Sequence, residues 1–135
     1  MAKALSALHR VGSMRKVVAG SLDVGCVLAF VAIGRASHDE AGSVSGFAAT
    51  AWPFLVGLAA GWAAGRGWRR PEGIAPAGVA VWAACVALGM VLRAVSGQGT
   101  AFAFVVVATV FLGAALLGWR AGARVAGVRS VSRQE

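Results

Sequence analysis

A chain of 135 residues has room for one domain, and its composition, 59% hydrophobic and 13% charged, lies well under the roughly one-quarter charged residues of a soluble domain. The formal net charge of +8 would suit nucleic acid, but the eleven Arg and two Lys stand in clusters between apolar runs instead of along one exposed face. Composition therefore points to a membrane protein and away from nucleic-acid binding.

Residues 1–16 carry Lys3, Arg10, Arg15 and Lys16 without an acid. The segment has the charge of a signal-peptide n-region, but Asp23 interrupts the apolar run behind it and no small-residue cleavage site follows. Asp23-Val24-Gly25-Cys26 is a poor lipoprotein box for the same reason. The segment is read as a cytoplasmic basic arm, either frayed in solution or lying on anionic lipid through Leu5 and Leu8. Residues 17–34 form the first candidate span, which as a helix would rise about 27 Å, near the hydrocarbon thickness. A polar loop follows with Arg35, His38, Asp39 and Glu40.

The second span is 47–65. Pro53 removes a backbone donor and should bend it, and Thr50 is placed to bond the freed carbonyl or to cap a helix restarting at the proline. Arg66, Trp68, Arg69, Arg70 and Pro71 make the next connection. The third span is 74–92, with Pro76 in its first turn. Leu92 to Thr100 is the shortest break between apolar runs, and 100–119 is an uncharged fourth span. Residues 120–135 are a basic tail, expected to be part helix and part disordered.

Eleven basic residues lie in the two terminal segments and the second connection; only Arg35 and Arg93 lie in the other two connections. The positive-inside rule then puts both termini in the cytoplasm. The expected fold class is an all-α membrane protein, an up-down-up-down bundle of four transmembrane helices, in the cell membrane. A faint repeat aligns Phe54-Leu55…Gly61-Trp62 with Phe111-Leu112…Gly118-Trp119.

Few polar residues break the apolar runs, and each needs a reason to be there. Asp23 lies about two turns inside the first span, where insertion scales charge around 2.5–3.5 kcal/mol for a carboxylate. It is either a neutral or hydrogen-bonded Asp near the inner interface, reached by Arg66 or a snorkelling arginine, or a functional carboxylate on an ion or proton path. Arg93 ends the third span beside Ser96, Gln98 and Thr100. It either pairs with Asp39 or Glu40 of the other outer loop, with Arg35 nearby, or joins the amides of Gly97 and Gly99 in holding an anion. Gly57, Gly61 and Gly65 stand four apart, as do Gly118 and Gly122, a spacing that lets a second helix backbone approach closely, within the chain or from a second copy. Cys26 and Cys85 are too few for a metal site, and three adjacent residues such as His38-Asp39-Glu40 rarely converge on one ion without further ligands. No nucleophile–base pair and no phosphate loop is present, so neither an enzyme nor a cofactor is expected.

Thr50-Ala-Trp-Pro-Phe-Leu-Val-Gly57, Gly61-Trp62, Arg69-Arg70-Pro71 and Arg93-Ala-Val-Ser-Gly-Gln-Gly-Thr100, together with Ser37-His-Asp-Glu40, give the chain a resemblance to a family of small four-helix integral membrane proteins, domain of unknown function 3054. The resemblance implies a fold and a membrane location, and no activity. The functional expectation is a structural or interaction module with an outward-facing polar cluster, in contact with anionic lipid through its basic segments. The alternative is a proton-coupled small-molecule transporter working as a homodimer through Asp23, by analogy with small four-span transporters that carry an essential carboxylate in the first span.

Overall fold

The computed structural model describes residues 1–37 and 42–135; His38, Asp39 and Glu40 lie outside the described residues. The described residues form four main helices and no strand: α1 (Ala2–Ala36), α2 (Val44–Ala64), α3 (Val79–Val95) and α4 (Phe102–Gln134). Four helical stretches are long and apolar enough to cross a membrane, the third running over Ile74–Val95. α1 and α4, with 35 and 33 residues, would each rise about 50 Å, well beyond a hydrocarbon core of about 30 Å. The basic arm and the basic tail are thus extensions of the first and last helices.

The helix ends follow from local chemistry. Ser43 caps α2, its hydroxyl accepting from the Gly46 N–H at 3.0 Å. α2 closes with the Gly67 N–H on the Trp62 carbonyl and the Arg66 N–H on that of Ala63, with Arg66 at φ 51°. This is a Schellman stop whose left-handed position holds an arginine in place of the usual glycine. α3 ends the same way: Gln98 and Gly97 donate to the carbonyls of Arg93 and Ala94, with Gly97 at φ 77°. Ahead of α3 the chain makes one wide turn over Ile74–Gly78, in which Ala75, preceding Pro76, is extended (φ −126°, ψ 139°).

The core runs down the middle of the bundle through Val27, Phe30 and Val31 of α1, Ala51, Phe54 and Leu58 of α2, Val81 and Cys85 of α3, and Ala108, Leu112 and Leu116 of α4. Phe30 is its hub, with ring centroids 5.4 Å from Phe54 and 5.5 Å from Phe111. Phe104 completes the cluster, 6.0 Å from Phe30. α2 and α3 pack almost backbone to backbone. A Cβ on Gly57 would stand 2.9 Å from the Cys85 Cα, one on Gly61 2.6 Å from the Val81 Cα, and one on Gly65 2.8 Å from the Ala80 Cβ. The glycine stripe of α2 therefore serves contact inside the chain. Gly118 and Gly122 differ: they are exposed, and a Cβ on either would meet nothing within 4 Å. The outer surface carries Leu22, Val24, Val56, Val91, Val107 and Val110, an apolar exterior suited to lipid.

Candidate functional site

Two polar clusters sit at opposite ends of the aromatic core. The first is centred on Asp23, which is completely buried. Arg120, also completely buried, meets it in a two-pronged pair, with Nη1 on Oδ1 at 2.8 Å and Nη2 on Oδ2 at 2.7 Å. Two indoles complete the carboxylate's shell: Trp62 Nε1 donates to Oδ2 at 2.8 Å and Trp119 Nε1 to Oδ1 at 2.7 Å. Two further guanidinium donors go to backbone, Nε to the Pro71 carbonyl at 3.1 Å and Nη1 to that of Leu116 at 2.9 Å. The guanidinium carbon also lies 4.5 Å from the centre of the Trp119 ring. Gly78 makes room for the side chain, since a Cβ there would stand 2.9 Å from Arg120 Cδ.

Moving two ions out of water costs several kcal/mol each, and a fork-to-fork pair in which every nitrogen and oxygen has a partner is the geometry that offsets it. Among the described residues no buried side-chain nitrogen or oxygen lacks a partner. The cluster joins α1, α2, α4 and the connection ahead of α3 at one point. Arg66, one of the arginines expected to reach Asp23, instead occupies the left-handed position that stops α2. The partner is Arg120, read from sequence as the start of the tail.

The repeat acquires a physical meaning here. Phe54 and Phe111 both pack on Phe30, while Trp62 and Trp119, eight residues after each, both donate to Asp23, seven residues before Phe30. α2 and α4 thus offer α1 the same pair of aromatic contacts from two sides.

The second cluster is the turn after α3. Arg93 Nε and Nη2 donate to the Gly99 carbonyl at 3.2 and 2.8 Å, and Nη1 donates to Gln98 Oε1 at 2.8 Å. The guanidinium lies 4.4 Å from the centre of the Phe104 ring. Gln98 Nε2 donates to the Ala49 carbonyl at 2.9 Å and to Ser96 Oγ at 3.2 Å. Ala49 is four residues before Pro53, so its carbonyl is the one that the proline leaves without a helical donor. Thr50, one candidate for that role or for capping a restarted helix, does neither: its hydroxyl bonds the Gly46 carbonyl at 2.9 Å in a helix continuous through Pro53, and Gln98 supplies the missing donor from another helix end. Arg35 Nη1 reaches Thr50 Oγ1 at 3.3 Å. The Gly97 N–H, expected to face an anion, donates to Ala94, and Thr100 is exposed. The expected pairing of Arg93 with Asp39 or Glu40 falls outside the described residues. Cys26 and Cys85 are both free thiols, the latter 3.4 Å from the Phe54 carbonyl.

Four helices long and apolar enough to cross a membrane, tied by a buried ion pair, define a small multi-pass helical membrane protein. Residues 21–123 match the model of a protein family of unknown function, DUF3054, and the chain belongs to that family. No curated protein and no solved structure matches it.

Proposed function

We propose that this chain is a non-enzymatic structural or interaction module of the cell membrane, an up-down-up-down bundle with both termini and the 66–73 connection in the cytoplasm. The order of contacts supports the topology: Asp23 and Phe30 of α1 meet Trp62 and Phe54 of α2, and Trp119 and Phe111 of α4, each time in reverse order. The distribution of arginine supports the orientation. The observation that carries the functional reading is the state of Asp23, fully buried and filled by four donors from its own chain. A carrier that moves protons through a carboxylate needs water or substrate to reach it. The transporter alternative lacks that access. An interaction role has a candidate face in the exposed Gly118 and Gly122 of α4, which leave room for a partner helix or a second copy.

The test is proton flux into proteoliposomes loaded with a pH-sensitive dye, with fluorescent labels on each terminus to report sidedness. The reading expects no flux above empty liposomes and both labels on one face. Flux that is abolished in Asp23→Asn, in a variant that still folds, would overturn it.

A further inference from the structure

Beyond the buried ion pair, the described residues hold one concentration of charge without a matching partner. A cleft of about 380 Å³ opens between α1, the 68–73 connection and α4. Lys16, Arg69, Arg70 and Arg124 line it, and none of them makes a side-chain hydrogen bond or ion pair among the described residues. Arg15, also in the lining, is held by Glu72, with Nε and Nη2 on its two carboxylate oxygens at 3.0 and 2.9 Å. The cleft thus gathers five cations around one carboxylate. That field selects a compact anion with several acceptor oxygens, as a phosphodiester has.

Its position narrows the source. The cleft lies where α1 and α4 leave the apolar bundle, and Trp68, 45% exposed, stands in its wall as tryptophans do at a membrane interface. Met14, Val17 and Val18, on the other face of the same turns of α1, are exposed and apolar, so the helix that carries Arg15 and Lys16 also presents an apolar surface. The volume falls in the usual range for small-molecule sites, about 300–1,000 Å³. The cleft is also built: Arg120 Nε pins the carbonyl of Pro71, the residue between Arg70 and Glu72, to the buried ion pair.

We propose that this cleft is a binding site for the headgroup of one anionic phospholipid, with Arg69, Arg70, Lys16 and Arg124 holding its phosphate. Glu72 is the internal anion that the headgroup displaces from the cleft's field. The site rests on the membrane reading above, but its test does not depend on which face the termini occupy.

The experiment is native mass spectrometry of the full chain, released from a non-ionic detergent and titrated with phosphatidylglycerol or with phosphatidylcholine of the same acyl chains, with inorganic phosphate as competitor. The wild type should bind phosphatidylglycerol on the order of tenfold more tightly than phosphatidylcholine. Arg69→Gln/Arg70→Gln should lose on the order of tenfold in phosphatidylglycerol affinity. Arg129→Gln/Arg133→Gln, which removes the same charge from the tail outside the cleft, should stay near wild type. Glu72→Gln should bind more tightly. If the connection variant does not fold, Lys16→Gln/Arg124→Gln removes two cleft cations from helices and should show the same loss. Equal weakening by the cleft and tail variants, or equal affinity for the two lipids, would reduce the site to general surface charge and overturn the proposal. Displacement of the lipid by millimolar phosphate would assign the cleft to a soluble anion and overturn it as well. A failed sidedness experiment with an intact lipid adduct would refute the topology and leave the site standing.

Discussion

The two ends of the bundle treat an arginine in opposite ways. Arg120 is completely buried and bonded to a carboxylate 97 residues away in sequence. Arg93 is half-buried and bonded to neutral oxygens five and six residues away. The difference follows from solvation. A guanidinium that keeps part of its surface in a polar layer can be held by local carbonyl dipoles, whereas one removed from water altogether needs an opposite charge and further acceptors for its N–H groups. The first cluster therefore fixes which helices meet, joining the first to the last, and the second shapes a turn.

The sharpest way to break this contrast is at Asp23. Asp23→Asn leaves a buried guanidinium that cannot shed its proton, and should cost about 3–5 kcal/mol in detergent unfolding. Arg120→Met should cost less, because the two indoles still donate to the carboxyl group left behind. Gly61→Ala attacks the same end through its scaffold: the new Cβ would stand 2.6 Å from the Val81 Cα, backbone against backbone, beside Trp62. A loss of about 1–3 kcal/mol is expected, while Gly118→Ala should leave the monomer's thermal midpoint unchanged.

At the Arg93 end the effects are smaller. Gln98→Leu removes the donor to Ala49 and should cost on the order of 1 kcal/mol. Pro53→Ala returns an N–H to that carbonyl, so Gln98→Leu made in the Pro53→Ala background should cost measurably less than in the wild type. Equal losses in the two backgrounds would separate Gln98 from the proline.

The smallest effect belongs to the surface pair Arg15–Glu72. The Arg15 guanidinium holds the Glu72 carboxyl below its ordinary range. A carboxyl lowered by folding contributes stability above its unfolded value, about 4.3, and loses it as pH falls through the lowered folded value. Melts of wild type and Glu72→Gln should therefore differ at pH 6 and converge towards pH 3. Both side chains are well exposed, 58% and 40%, so the difference should stay within about 1 kcal/mol and vanish in high salt.

Much of the frame was legible in the sequence, because four apolar runs and the arginines that bound them are one-dimensional signals. The turn after α3 was legible as a place, since its glycines and Arg93 are neighbours in sequence, but not in its bonding, since Arg93 meets Gln98 and the Gly99 carbonyl and the Gly97 N–H is used to stop the helix. The Asp23 cluster was only half legible. A carboxylate inside an apolar run announces that a partner exists, but Arg120 sits next to the last apolar residues and reads as one more interfacial arginine. The available signal was the repeat, which sets Trp62 and Trp119 in register and puts Arg120 directly after the second of them. The link between Gln98 and Pro53 could not be read, since it depends on which helix end lies beside the freed carbonyl.

A double-mutant cycle between Asp23→Asn and Arg120→Met, read from unfolding in detergent, bears most directly on the claim that these two charges are each other's structural partner. A coupling of about 2 kcal/mol or more is predicted, with the double variant more stable than the two single losses would add up to. Losses that add within about 0.5 kcal/mol would contradict it and return Asp23 to the set of carboxylates free to serve another role.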